Sequence, residues 1–165
     1  MSPSCGNGEE VPIPSKRGEK GFRPLDKSQV ASLWTERFGI SEEAFQGYRF
    51  FAKAQSIWVC SDFPLPALRY ESVGMRMMSL KDWPWKPTTS ALQIFGRHAK
   101  KNVVHLSEAE ARAFMAGSSL CLEADCQLGY VVVFYRGEVL GCGLYSRGKL
   151  VSQIPKDRRV ESCQG

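Results

Sequence analysis

The chain has 165 residues, 43% of them hydrophobic and 24% charged, with a formal charge of +5. That composition suits one domain, or a compact domain with a small appendage, and excludes a chain disordered throughout. No stretch approaches the roughly 20 apolar residues that cross a bilayer, and no apolar run follows Met1-Ser2-Pro3-Ser4, so neither membrane helix nor secretory signal is expected and the expected compartment is the cytoplasm.

Residues 1–24 mix Gly, Pro, Ser and charges and are expected to form a flexible tail. From Asp26 the pattern changes. Val30, Leu33, Trp34 and Phe38 recur at helical spacing, Asp26 or Ser28 can cap the start, and Gly39 can end it. Ser41-Glu42-Glu43 opens a second, short helix with its acidic residues near the positive end and Gly47 as the stop. Tyr48, Phe50 and Phe51, then Ile57, Trp58 and Val59, read as two strands of a hairpin, with Trp34 and Trp58 expected in the core. Pro64-Leu65-Pro66 reads as a loop and Leu68 to Leu80 as a further extended region.

Trp83 to Thr89 forms a rigid corner, in which Trp83 and Trp85 are expected to pack. Pro87 disfavours helix at Lys86, so a helix starts after it, capped by Thr88 or Thr89. Leu92 and Phe95, with Ala91 and Ala99, give that helix an apolar face leading to Arg97–Lys101. The chain is expected to pass here from an N-terminal subdomain, 25–85, to a second unit, 86–160, with a short tail at 161–165.

The second unit is rich in local signals. Val103 to Leu106 is a short strand, and Ser107-Glu108-Ala109-Glu110 is a capping box opening a helix that stops at Gly117. Ser118–Leu122 follows, then Tyr130–Tyr135, which is too β-branched and aromatic for a helix. Turns at Arg136-Gly137 and Ser146–Gly148 lead into Glu138–Tyr145 and Lys149–Ile154. Successive tight hairpins imply a small antiparallel sheet or barrel, and the whole reads as α+β.

Several residue types that carry chemistry are present without a pattern that uses them. Cys5 and Cys163 lie in the expected tails, and Cys60 and Cys142 fall in strand-like runs as small apolar residues. Cys121 and Cys126 lie close together, but no second pair completes a zinc spacing, so no metal is expected. His98 and His105 have no carboxylate or nucleophile beside them in a recognisable motif, and Ser118-Ser119 lacks a nucleophile elbow.

The charge is uneven. Residues 97–101 carry three positive charges, and 136–159 carry Arg136, Arg147, Lys149, Lys156, Arg158 and Arg159 against Glu138 and Asp157. A basic excess gathered in two places is what binding to a phosphate backbone requires. The plainer reading is a solvated polar surface.

Strand, capped helix, Gly, then hairpins is the order of a PUA domain. Lys86-Pro87-Thr88-Thr89, Leu92-Gln93-Ile94-Phe95-Gly96 and Lys101-Asn102-Val103-Val104 form one block of resemblance. Gly129-Tyr130-Val131, Leu140-Gly141-Cys142-Gly143-Leu144, Gly148-Lys149-Leu150 and Ile154-Pro155-Lys156-Asp157-Arg158-Arg159 form the second. Together they resemble the PUA-like C-terminal region of RsmF/Sun-type RNA cytosine-5 methyltransferases, over residues 26–160 in outline. The resemblance implies a PUA-like β-pseudobarrel preceded by a smaller α+β subdomain. It also implies recognition of ribosomal or transfer RNA, with methyl transfer done by a separate domain. The cysteine nucleophile of that family follows a proline, and no Pro-Cys pair occurs here. Gly141-Cys142-Gly143 lies between strands and opens no helix, so it reads as a bend in a barrel strand rather than a cofactor loop.

The expected function is therefore a cytoplasmic, monomeric RNA-binding module of RNA modification or ribosome biogenesis, without catalysis, cofactor or membrane contact. Its partners would be RNA, and an RNA methyltransferase or ribosomal particle. The expected RNA contacts are Lys86, Arg97, His98, Lys100, Lys101, Arg147, Lys149, Lys156, Arg158 and Arg159, with Gly117 letting RNA approach a loop closely. The alternatives are a protein-docking accessory, which needs an exposed apolar patch, and an enzyme acting on a nucleotide, which needs a convergent polar pocket.

Overall fold

The computed structural model describes residues 21–62, 74–81 and 84–160. Residues 1–20 of the expected 1–24 tail, the 161–165 tail, the Pro64–Pro66 loop, the start of the Leu68–Leu80 region, Trp83, Cys5 and Cys163 lie outside the described residues. Arg23 and Pro24, expected in the first tail, instead form a strand with Leu25, because a partner strand further along the chain pairs with them.

Two five-stranded sheets carry the fold. The first is β1 (Arg23–Leu25), β2 (Tyr48–Lys53), β3 (Ser56–Ser61), β4 (Met75–Ser79) and β5 (Lys86–Pro87), antiparallel neighbours in chain order. Helix α1 (Lys27–Phe38) covers one face. It starts where the Asp26 carboxylate accepts from the Ser28 N–H at 3.2 Å, and stops at Gly39, whose φ of 66° is left-handed. Its Val30, Leu33, Trp34 and Phe38 form the predicted stripe and pack on Phe50, Ile57, Val59, Met77 and Met78. The Ser41 signal yields one 3₁₀ turn, Glu42–Phe45, which drops Phe45 into the same core. Trp34 lies at its centre, 5.2 Å from the Trp85 ring, and its Nε1 donates to Met78 Sδ at 3.3 Å.

Trp58 does not join that core. Strand alternation turns Ile57 and Val59 inward and puts Trp58 on the other face, half-buried against Phe22 at 5.7 Å, its Nε1 buried without a hydrogen-bond partner among the described residues. The expectation of a core Trp58 read hydrophobicity without the period of two.

The second sheet is β6 (Val103–His105), β7 (Ser119–Cys121), β8 (Gly129–Tyr135), β9 (Glu138–Ser146) and β10 (Lys149–Ser152), in the order β6-β8-β9-β10-β7. It curls around α3 (Glu108–Met115), whose Ala111 and Phe114 meet Val131, Val133, Leu150 and Ile154. The antiparallel expectation needs one correction: β6 pairs with β8 in parallel, because α3 and β7 form a crossover between them instead of a hairpin. The Gly141–Gly143 bend is real. The β8–β9 register shifts beside it, at Val133/Phe134, and a Cβ on Gly143 would lie 2.6 Å from Leu150 Cδ1.

The two cores share a wall. Val131 and Val133 of β8 point into the curled sheet, while Val132 and Phe134 point into the first core with Cys142. This is why β8 reads as an unbroken apolar run. Between the units lies α2 (Thr89–Phe95), whose Ala91 N–H donates to Thr88 Oγ1 at 3.2 Å and whose Ala91, Leu92 and Phe95 are buried in the first core. Lys86 and Pro87 pair with β4, so the residues that follow the expected boundary complete the first sheet. Among the described residues no helix is long and apolar enough to cross a membrane.

Candidate functional site

The residues singled out from the sequence fall into three places. The first is the corner where β10 ends, α2 begins and α3 stops. Beyond Ile154 the chain turns at Pro155 and forms a strap, a 3₁₀ turn over Lys156–Arg158 followed by Arg159 and Val160. The strap is tied at both sides. Val160 N–H donates to Met115 O at 3.0 Å, satisfying a carbonyl at the end of α3, and Arg158 Nη1 donates to Ser90 Oγ at 2.8 Å on α2. Arg159 Nε donates to Ile154 O at 3.1 Å. Lys86 reaches the same corner from β5: its Nζ donates to Gln153 Oε1 at 2.8 Å and lies 5.6 Å over the Tyr130 ring. Lys156 stands exposed on the strap.

Gly117 belongs to this corner in an unexpected way. Its φ is +91°, and a Cβ there would fall 2.6 Å from Arg159 Nε, 2.7 Å from Cζ and 2.8 Å from Cδ. The room that the missing side chain leaves is filled by the protein's own Arg159.

The second place is the β9–β10 turn, holding Arg147 and Lys149. It lies at the other end of β10, a strand about 10 Å long at ~3.3 Å per residue. A carboxylate shares it: a Cβ on Gly148 would lie 2.6 Å from Glu123 Oε1. The third is the link from α2 to β6. Arg97 Nε donates to His98 Nε2 at 3.2 Å. The backbone N–H groups of Lys100 and Lys101 both donate to Phe38 O, at 2.8 and 3.0 Å, and Lys101 Nζ donates to Glu36 O at 2.8 Å. These lysines close the negative end of α1.

A polar seam beside that link has no recognisable motif in the sequence. Arg37 Nε and Nη2 donate to Tyr130 O at 3.1 and 2.8 Å. Asn102 Nδ2 donates to Arg37 O at 2.7 Å, and Gln127 N–H donates to Asn102 Oδ1 at 2.8 Å. Asn102 is 6% exposed with φ +53°, a conformation that Asn tolerates better than most residues. Its place between a basic run and a strand was the available signal. Burial lowers the Arg37 pKa, against the opposing pull of Cys126 and Cys142. Burial likewise raises the Cys60 and Cys126 thiols, and pushes Cys142 up to about 12. Among the described residues no group of three His, Cys, Asp or Glu could hold a metal.

Comparisons with known proteins are specific. Residues 101–160 match the family model of the methyltransferase RsmF PUA domain. The chain is 25% identical over 147 residues to the ribosomal RNA small subunit methyltransferase F of Aeromonas hydrophila subsp. hydrophila, covering 89% of this chain and 29% of that protein. The protein of the same name from Aeromonas salmonicida is 23% identical over 146 residues, again covering 88% and 29%. The chain thus spans less than a third of the length of these relatives. Among solved structures, that of a conserved PUA domain protein from Thermoplasma acidophilum matches with a TM-score of 0.51 at 17% identity, over 80% of this chain and 91% of that one. That likeness concerns the fold: α+β, with a PUA-like pseudobarrel preceded by a smaller α+β unit.

Proposed function

Because the chain carries a PUA domain like the C-terminal one of RsmF, we propose that it is a cytoplasmic RNA-binding module that engages ribosomal RNA and leaves catalysis to other machinery. The relatives' name supports ribosomal over transfer RNA. The partner is then that RNA, met on the ribosomal particle or on a methyltransferase acting there.

One observation carries the reading. The segment that matches the RsmF domain contains the strap, and the strap gathers Lys156, Arg158 and Arg159 at one corner with Lys86 and Gly117. Guanidinium forks and a lysine held on a scaffold are suited to phosphate oxygens. Arg147 and Lys149 extend the basic surface past the far end of β10. Arg97, His98, Lys100 and Lys101 serve as flanking contacts, the two lysines already engaged at the end of α1.

The test is binding of small-subunit ribosomal RNA across a potassium chloride series. Wild type is compared with Arg158→Ala/Arg159→Ala and with Arg147→Ala/Lys149→Ala. Wild-type affinity is expected to fall steeply with salt. The strap variant should bind at least about tenfold more weakly, with a log–log slope shallower by about 1.5, as two lost phosphate contacts require. The turn variant should lose less. No wild-type binding, or equal binding by all three proteins, would reject the RNA reading in favour of protein docking.

A further inference from the structure

The contact between Gly117 and Arg159 joins two residues that the sequence offered as separate RNA contacts. A ligand approaching Gly117 would meet the guanidinium first. Three consecutive side-chain atoms of Arg159, Cδ, Nε and Cζ, lie within 2.6–2.8 Å of where a Gly117 Cβ would sit. Near-equal distances mean that the side chain lies flat across the glycine rather than end-on. Nε is held by Ile154 O at 3.1 Å, and that carbonyl is fixed in turn because Ile154 is buried and its N–H donates to Ser152 Oγ. Arg159 is exposed, and its Nη1 and Nη2 make no hydrogen bond with the described residues.

We propose that Gly117 is a positioning residue that acts only through Arg159, pre-setting a guanidinium fork for one phosphodiester of the bound RNA. This rests on the RNA reading above and deepens it. A free arginine has several rotatable bonds to fix before it can chelate a phosphate, and fixing them costs rotamer entropy. Here the chain has already fixed them: the glycine supplies the floor, the Ile154 carbonyl fixes Nε, and the two terminal nitrogens remain for paired bonds to two phosphate oxygens. Lysine has no planar fork and no Nε–H to give to Ile154 O, so charge alone does not reproduce the arrangement.

The experiment measures small-subunit ribosomal RNA affinity for wild type, Arg159→Ala, Arg159→Lys, Gly117→Ala and the Gly117→Ala/Arg159→Ala double variant, each checked by circular dichroism. Arg159→Ala and Arg159→Lys should both weaken binding about tenfold. Gly117→Ala should do nearly the same in wild type but add less than about twofold in the Arg159→Ala background, since its target is gone. The Arg159 Nε–H should exchange slowly in wild type, held by Ile154 O, and its signal should broaden or shift in Gly117→Ala. Because a left-handed alanine is strained, Gly117→Ala could unfold, and the Arg159→Lys arm then decides alone. Full retention of affinity by Arg159→Lys, or additive losses in the double variant, would overturn the proposal while leaving RNA binding intact. Absence of wild-type binding would instead remove the reading on which it rests.

Discussion

Cys142 shows how one buried side chain can make stability depend on pH. It faces the first core from β9 among Val132, Phe134 and Leu92. Burial is the main reason that its thiol is pushed up to about 12, with Lys86 and Arg37 pulling the other way. In the unfolded chain a thiol ionises near ~8.5. Below that value both states keep the proton and the difference contributes nothing adverse. As the pH climbs above it the unfolded chain releases the proton while the folded chain holds it, so stability falls until the folded thiol also titrates. Urea unfolding of wild type and Cys142→Ala between pH 7.5 and 10.5 should show wild type losing stability faster with pH. A constant gap between the two proteins over that range would mean that the thiol is not held protonated.

At the scale of elements, the parts that were legible are those whose signal is local. The α3 cap is an example: Ser107 N–H donates to Glu110 Oε1 at 2.9 Å and Glu110 N–H to Ser107 Oγ at 3.3 Å, the reciprocal pair that the sequence implies. Ser107→Ala should therefore cost about 1 kcal/mol. Arg112→Ala removes only an exposed ion pair, with 2.7 Å between Arg112 Nη2 and Glu108 Oε1, and should cost about 0.5 kcal/mol or less. Thermal unfolding of the two variants compares them directly, and equal losses would mean that the cap adds nothing beyond surface charge. Asp26, Thr88 and Gly39 were readable for the same reason. The parallel β6–β8 pair, and the closure of the first sheet by Lys86-Pro87, were not, because each depends on a partner far along the chain. The basic corner was half legible. Its cations stand out in the sequence, but their division by β10, and the covering of Gly117 by Arg159, arise only once strand and strap have folded.

For the whole molecule the consequence is that the two units should unfold together. β8 gives Val131 and Val133 to one core and Val132 and Phe134 to the other, so neither core survives loss of that strand. The polar seam adds a second tie, in which Asn102 bridges the Arg37 carbonyl and the Gln127 N–H. Asn102→Ala leaves both groups without that partner and puts alanine at φ +53°, for an expected loss of about 2–4 kcal/mol. Trp34, Trp58 and Trp85 lie in the first unit, so their fluorescence reports on it, while hydrogen exchange in β8–β10 reports the second. Wild type should show one transition by both probes, and Asn102→Ala should lower both by the same amount although the residue contacts no tryptophan in the hydrogen-bonded seam. If fluorescence and exchange separate in wild type, the units are independent and the shared wall is only a contact. If they separate in Asn102→Ala alone, the seam couples the units and the shared strand does not suffice. Coincident transitions in both proteins would make β8 the element through which the first unit holds the strap-bearing corner in place.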